Sequence, residues 1–278
     1  EQKWVMVLYD SDECAETQST PPAGGNDHHN MAFWESTDLR KWTRTGAFTD
    51  PDRSAVFECP EMFELTLAGQ PEVKKWILYG AQNRYFIGTF DGQAFHKESG
   101  PHGNSRGALY AAQTFSDTPD GRRIQIGWIR NQPFLNQYPD QIVSQSFSLP
   151  QELTLRETEH GLRMFYQPVQ EVQQLRAEAV ALNGADLSGL ETQGSEVLVE
   201  FEKSQRHELM LNGISMHFEG KQAQIFVDRT FCEVYVDHGL EYSAFSRRPE
   251  DLETNTNAVL SDSHITSLKV FRLKSIWK

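Results

Sequence analysis

The chain is 278 residues long and carries 26 Lys and Arg against 39 Asp and Glu, a formal net charge of −13. That length suits one large domain or two ordinary ones, and the acidic balance argues against nucleic acid or an anionic membrane surface as a partner, leaving a neutral ligand as the expectation. No apolar run approaches the length of a membrane span, and 11% aromatic residues without helical periodicity point to a strand-rich protein.

In chain order, Lys3 to Tyr9 reads as a buried strand that begins abruptly. A strand so placed needs partners elsewhere, which suggests a truncated start. Residues 10 to 30, rich in Ser, Thr, Pro, Gly and acids, read as a long exposed loop. Within it Asp27, His28 and His29 are adjacent; on an extended chain such neighbours point to opposite faces, so no metal site is expected. An internal repeat follows. Phe33 to Trp42 parallels Phe86 to Phe95: in both, an aromatic strand reaches an Asp in a turn, Asp38 or Asp91, and an aromatic ring follows four residues later. A period of about fifty residues with aromatic strands and Asp turns is the pattern of propeller blades. The strand Trp76 to Tyr79 before the second copy matches the opening strand at Trp4. Two unrelated hairpins with Asp turns are the plain alternative.

Further strands are expected at 107–115, 123–130, 146–149, 153–156 and 162–166, with Ser116 to Gly121 as a hairpin connection built on Pro119 and Asp120-Gly121. Composition turns helical from Val169 to Leu182, and the alternating strands at 196–201, 223–228, 232–236 and 265–273 fit an antiparallel sandwich. In that alternation Asp228, Glu233 and Asp237 take the solvent face. The expected organisation is all-β, with a propeller-type domain over 1–168, a helical linker over 169–184 and a β-sandwich over 185–278. Cys14, Cys59 and Cys232 are widely spaced and form no C-x-x-C pair, so neither a disulfide framework nor a zinc site is indicated.

The stretch that carries chemistry is Phe57-Glu58-Cys59-Pro60-Glu61-Met62-Phe63. It sets Glu58 among apolar residues and a proline, and a carboxyl group so held resists ionisation, the state a general acid needs near neutral pH. The plain alternative is a strand-end residue beside a turn. Cys59, in its apolar setting, reads as a packing residue that fixes Glu58.

The run Tyr110 to Asp117, followed by Pro119 to Trp128, resembles glycoside hydrolase family 32, the invertases, levanases and inulinases that act on β-fructofuranosides. Glu58-Cys59-Pro60 matches the family's acid/base motif, and Ile87 to Gly92, Ser148 to Leu153, Val227 to Arg229, Glu233 to Val236 and Leu273 to Trp277 match further landmarks. The resemblance implies a five-bladed propeller, here partial, followed by a β-sandwich. It also implies a retaining mechanism in which an Asp attacks the anomeric carbon and Glu58 protonates the leaving oxygen. Trp128 corresponds to a Trp that lines the fructosyl subsite, where an indole face suits a sugar ring; a core Trp between blades is the alternative. Tyr110, Asn104 and Arg106 lie on a Gly-rich approach that reaches toward the same funnel.

Here the sequence departs from the family. Neither the W-[ML]-N-D-P-N-G-like motif that carries the nucleophile nor the R-D-P motif is present. Asn26-Asp27 is no substitute, because His28 and His29 follow it in a loop after a second-blade strand. The resemblance thus implies a fragment of a hydrolase for fructose-containing oligo- or polysaccharides, inactive alone, requiring no cofactor and exported like many bacterial members. A non-catalytic carbohydrate-binding β-protein is the alternative. Linkage preference and oligomeric state are not legible.

Overall fold

The computed structural model describes residues 3–11, 29–103, 105–130, 145–180, 194–211, 214–228, 231–246, 259–260 and 264–276. Asn104 of the expected site, Cys14, Asp27 and His28 lie outside the described residues. The architecture is all-β with short 3-10 segments, and it divides into two compact units. One comprises Glu1–Asn104, Tyr110–Gln113 and Thr154–Arg163; the other comprises Ser105–Leu109, Thr114–Leu153 and Met164–Lys278.

The first unit opens with β1 (Trp4–Ser11), β2 (His29–Ser36) and β3 (Thr43–Phe48), a three-stranded antiparallel sheet. His29 and Asn30, expected in a loop, are the first residues of β2, paired to Ser11 and Asp10. Then come β4 (Glu61–Leu67), β5 (Gln70–Tyr79), β6 (Tyr85–Phe90) and β7 (Phe95–His102), antiparallel neighbours in that order. The repeat has a structural cause in its turns. Asp38 accepts the amides of Arg40 and Lys41, each at 2.8 Å, between β2 and β3. Asp91 accepts those of Gln93 and Ala94, each at 2.8 Å, between β6 and β7. A carboxylate two residues before a chain reversal supplies the acceptor that the turn's amides need. Asp38 is held below the usual carboxylate range chiefly by these amides, and Asp91 by His96 first and then by the amides. Aromatic residues of the repeat form the core with Phe48: Phe33, Phe86 and Phe95 are buried together with it, and Phe48 meets Phe86 edge-on at 4.8 Å and Phe95 at 5.3 Å.

The chain continues through β8 (Ser105–Gly107), β9 (Leu109–Phe115), β10 (Arg123–Ile129), β11 (Ser146–Phe147), β12 (Gln151–Thr158), β13 (Gly161–Pro168) and β14 (Arg176–Ala179). Within the segment expected to be helical, Gln170–Leu175 forms a 3-10 helix and Arg176–Ala179 is a strand. The last strands are β15 (Ser195–Leu211), β16 (Ile214–Val227), β17 (Phe231–Val236), β18 (Glu241–Ser246), β19 (Val259–Leu260) and β20 (Ile265–Leu273). They build a sheet of order β14-β20-β15-β16-β17-β18-β8, with β19 on β15. Its aliphatic core holds Val197, Val199, Ile225, Val234 and Val270.

One expectation from alternation fails here. Glu233 is fully buried, not on the solvent face, because β17 is covered on both sides and buried at all six positions. Asp228 is exposed and Asp237 half-buried.

Candidate active site

Glu58 sits where a 3-10 turn, Arg53–Val56, hands over to β4. The turn is tied down by acids that precede it: Lys97 donates to the buried Asp50 at 2.6 Å, and Arg84 donates to Asp52 at 2.9 Å. Phe57 is extended, and then two successive residues, Glu58 (φ 50) and Cys59 (φ 40), take left-handed backbone conformations. For residues with a Cβ such conformations cost of order 1–3 kcal/mol each and persist only when the surroundings enforce them.

The surroundings do so through one amide and one glutamine. The Ala81 amide donates to the carbonyls of both Phe57, at 3.2 Å, and Glu58, at 3.1 Å, and the Ala81 carbonyl accepts the Ala111 amide at 2.8 Å. Gln113 Nε2 donates to the Cys59 carbonyl at 3.3 Å. Gly80 permits this approach, since a Cβ there would lie 3.0 Å from the Ala55 carbonyl and 3.2 Å from Met31 Cε. The strand that holds the Glu58 backbone also meets its side chain: the Tyr110 hydroxyl donates to Glu58 Oε2. Tyr110 is buried while Glu58 is half-buried, so the carboxyl is fixed from the protein side and open on the other.

Cys59 departs from its expected role. Its side chain is exposed, and its thiol is pushed up in pKa by partial burial first and the neighbouring Glu58 charge second. The backbone carbonyl of Cys59, not its sulfur, fixes the turn. Beside it, Phe57 packs edge-on against Tyr9 and His29, with ring centroids 5.5 and 5.0 Å away, and the Tyr9 hydroxyl pairs with His29 Nδ1. Sequence reasoning missed Tyr9 and His29, because the pair forms only once β1 and β2 are in register. Among the described residues no group of three or more His, Cys, Asp or Glu side chains is arranged to hold a metal ion.

Of the other expected residues, Trp128 lies on β10 in the second unit with 39% of its surface exposed, which is not a core position. Its indole N–H donates to Gln145 Oε1 at 2.9 Å. Arg106 lies on β8, its backbone opposite Ser243 of β18. The structure therefore brings Tyr110 to Glu58.

Frame and site together define an all-β protein that presents one carboxyl group on a braced turn. The chain belongs to glycosyl hydrolases family 32, whose N-terminal domain matches residues 6–168. It is 32% identical over 197 residues to the levanase of Bacillus subtilis (strain 168), covering 63% of this chain and 26% of that protein. It is 27% identical over 196 residues to an invertase of Wickerhamomyces anomalus, with 63% and 33% covered. An extracellular exo-inulinase of Meyerozyma guilliermondii is 25% identical over 169 residues, with 55% and 29% covered. The matches thus span a quarter to a third of these relatives. In fold, the exo-inulinase of Aspergillus awamori superposes with a TM-score of 0.74 at 17% identity, over 99% of this chain and 65% of that one. A mutant of the Bombyx mori GH32 beta-fructofuranosidase, solved in complex with sucrose, gives 0.69 at 17% identity, over 99% and 64%.

Proposed function

We propose that this chain is the acid/base-bearing portion of a retaining hydrolase of β-fructofuranosides such as levan, inulin or sucrose. The observation that carries the proposal is the presentation of the Glu58 carboxyl. It stands on two consecutive left-handed residues, braced by Ala81 and Gln113, with the Tyr110 hydroxyl on one oxygen and the other side open. Backbone strain held beneath a carboxyl group that keeps one side open is a mark of a functional position.

In this mechanism an Asp attacks the anomeric carbon of the fructosyl unit, and the bond to the leaving oxygen breaks as Glu58 gives that oxygen its proton. Glu58 then takes a proton from water, whose oxygen attacks the same carbon and frees the Asp. Tyr110 fixes which Glu58 oxygen is free to do this. Exposed Trp128 supplies an indole face for a sugar ring, and Asn104 and Arg106 are proposed as further substrate contacts. The antiparallel strand groups β1 to β3 and β4 to β7 of the first unit are read as propeller blades, and the long strands β15 and β16 as part of a sandwich. Neither nucleic acid nor a membrane is a partner on this reading, no cofactor is required, and export is proposed because relatives include an extracellular inulinase.

The attacking Asp is not supplied by any motif in these 278 residues, so the chain alone is proposed to be inactive. That same observation favours a second reading, a carbohydrate-binding protein that does not cut. Fructose release from sucrose, inulin and levan separates the two, measured for this chain and for a longer one carrying the nucleophile motif upstream. The expected result is activity only in the longer chain, with Glu58→Gln lowering kcat by about 10²–10⁴-fold. Sugar binding with no turnover in either chain, or turnover untouched by Glu58→Gln, would overturn the catalytic reading.

A further inference from the structure

The sheet of the second unit has a polar face on the side opposite its aliphatic core, and that face is built as a site. Val197, Val199, Ala223 and Ile225 point into the core, so their alternating neighbours Leu198, Glu200, Gln222 and Gln224 point the other way. Register lines these up across three strands. Glu200 lies opposite Gln222 on β16 and Ser267 on β20, and Leu198 lies opposite Gln224 and Lys269. Over these rows lies a groove of about 220 Å³, walled by Gln167 and Pro168 on one side and His238 on another.

Its walls are tied down by hydrogen bonds and close backbone packing. The His238 turn is strained, with Asp237 at φ 46 and His238 at φ 60, and the Asp237 carboxylate accepts the amides of Lys221 and Gln222 at 2.8 and 3.1 Å. Gly239 presses so close to the carbonyl of Tyr166, next to Gln167, that a Cβ would lie 1.8 Å from it. On the floor, Gln224 Nε2 donates to Glu196 Oε1 at 2.7 Å, which leaves the Gln224 carbonyl oxygen as an acceptor. Among the described residues no hydrogen bond or ion pair engages the side chains of Glu200, Gln222, Ser267 or Lys269.

The donor set identifies the ligand class. An ammonium, a carboxylate, an amide and a hydroxyl within two register rows cancel in charge but offer donors and acceptors side by side. An anion would meet Glu200 and a cation Lys269, whereas each hydroxyl of a sugar both donates and accepts. The groove is smaller than the roughly 300–1,000 Å³ of a drug-sized pocket, which fits one ring and not a chain. We propose that this groove is a second, non-catalytic site that seats one neutral sugar unit. That the sugar is a fructosyl unit rests on the function proposed above.

The test is a titration of the 278-residue chain, followed by amide NMR shifts of residues 198–200 and 222–224. The probes are levan- and inulin-derived oligosaccharides beside cello- and galacto-oligosaccharides. The expected result is saturable shifts at those amides with fructosyl sugars, with Kd weakened at least about tenfold in the Gln222→Ala, Ser267→Ala double variant. Lys269→Ala, at an exposed position, provides the same readout if the double variant folds poorly. Fructosyl sugars that bind with no shift at these amides, or with Kd unchanged in both variants, overturn the groove and leave the proposed function standing. Saturation by gluco- or galacto-sugars alone keeps the groove and counts against the proposed function. No shift with any sugar overturns the inference.

Discussion

Glu58 and Glu233 are both carboxyls that protein hydroxyls contact, and burial separates their chemistry. Glu58 is half-buried and keeps one side open, as its proposed role in proton exchange requires. Glu233 is closed off. Its oxygens accept the Tyr242 hydroxyl at 2.7 Å, the Tyr235 hydroxyl at 3.1 Å and the Leu149 amide at 3.0 Å. Burial nevertheless outweighs these donors and pushes its pKa up to about 7. The folded state thus holds a proton that the unfolded chain releases near the ordinary value of 4.5. Stability from this group is fully present below that value and is lost as pH rises through about 7. At 1.36 kcal/mol per unit the loss is about 3 kcal/mol. Glu233→Gln imitates the protonated carboxyl, with its carbonyl facing the Leu149 amide and its NH₂ facing the tyrosine oxygens. Urea unfolding should find the variant within about 1 kcal/mol of the parent below pH 5 and more stable by about 3 kcal/mol near pH 8.5. Parallel pH profiles would sink the assignment. Of this pair, Glu58 was legible from Glu-Cys-Pro. Its Tyr110 partner, 52 residues away, was picked out by family resemblance without its bond to Glu58. Glu233 was misplaced because alternation marks solvent only when one face of a sheet is open.

At the scale of elements, legibility followed locality. The hairpins at Asp38 and Asp91 were readable because acceptor and amides lie within three residues of one another. Strands such as Ile265–Leu273 were readable to the residue. The parallel pairing of β8 with β18 was not, since three residues carry too little pattern to signal a strand. Only the fold explains the glycine in it. Gly107 sits at φ +83, and a Cβ there would lie 2.1 Å from the Ala244 carbonyl oxygen, which accepts the Ala108 amide at 2.9 Å. Gly107→Ala combines a disfavoured backbone conformation with a clash against backbone that cannot yield without breaking that bond. A loss of about 2–3 kcal/mol is expected in denaturant unfolding. A change below about 0.5 kcal/mol, the range of an ordinary surface substitution, would mean that the two backbones do not meet this closely.

At the scale of the molecule, the two units are each assembled from separated pieces of chain. Residues 110–113 and 154–163 complete the first unit, and 105–109 and 114–153 join 164–278 in the second. Composition placed a boundary near 168–184 because the sequence changes character there, whereas compactness depends on pairings that composition does not encode. This has a consequence for dissection. A fragment of residues 185–278 would keep β15 to β20 but lose β8 from the edge of β18, the Tyr166 carbonyl against Gly239, and both Leu149 and Gln151. Glu233 would then lose its backbone donor together with the residues that lie against its carboxyl, and Tyr235 would lose the Gln151 amide that reaches its hydroxyl at 3.1 Å. Each buried group left unsatisfied costs about 1–3 kcal/mol, against a total stability of about 5–15 kcal/mol for a whole domain. The fragment 185–278 should therefore give a poorly dispersed amide spectrum and no cooperative thermal transition. A fragment of residues 105–278, which contains every piece of the second unit, should give a well-dispersed amide spectrum and a cooperative thermal transition. Cooperative unfolding of 185–278 with the dispersion of the longer fragment would show that the earlier segments decorate this sheet and do not complete it.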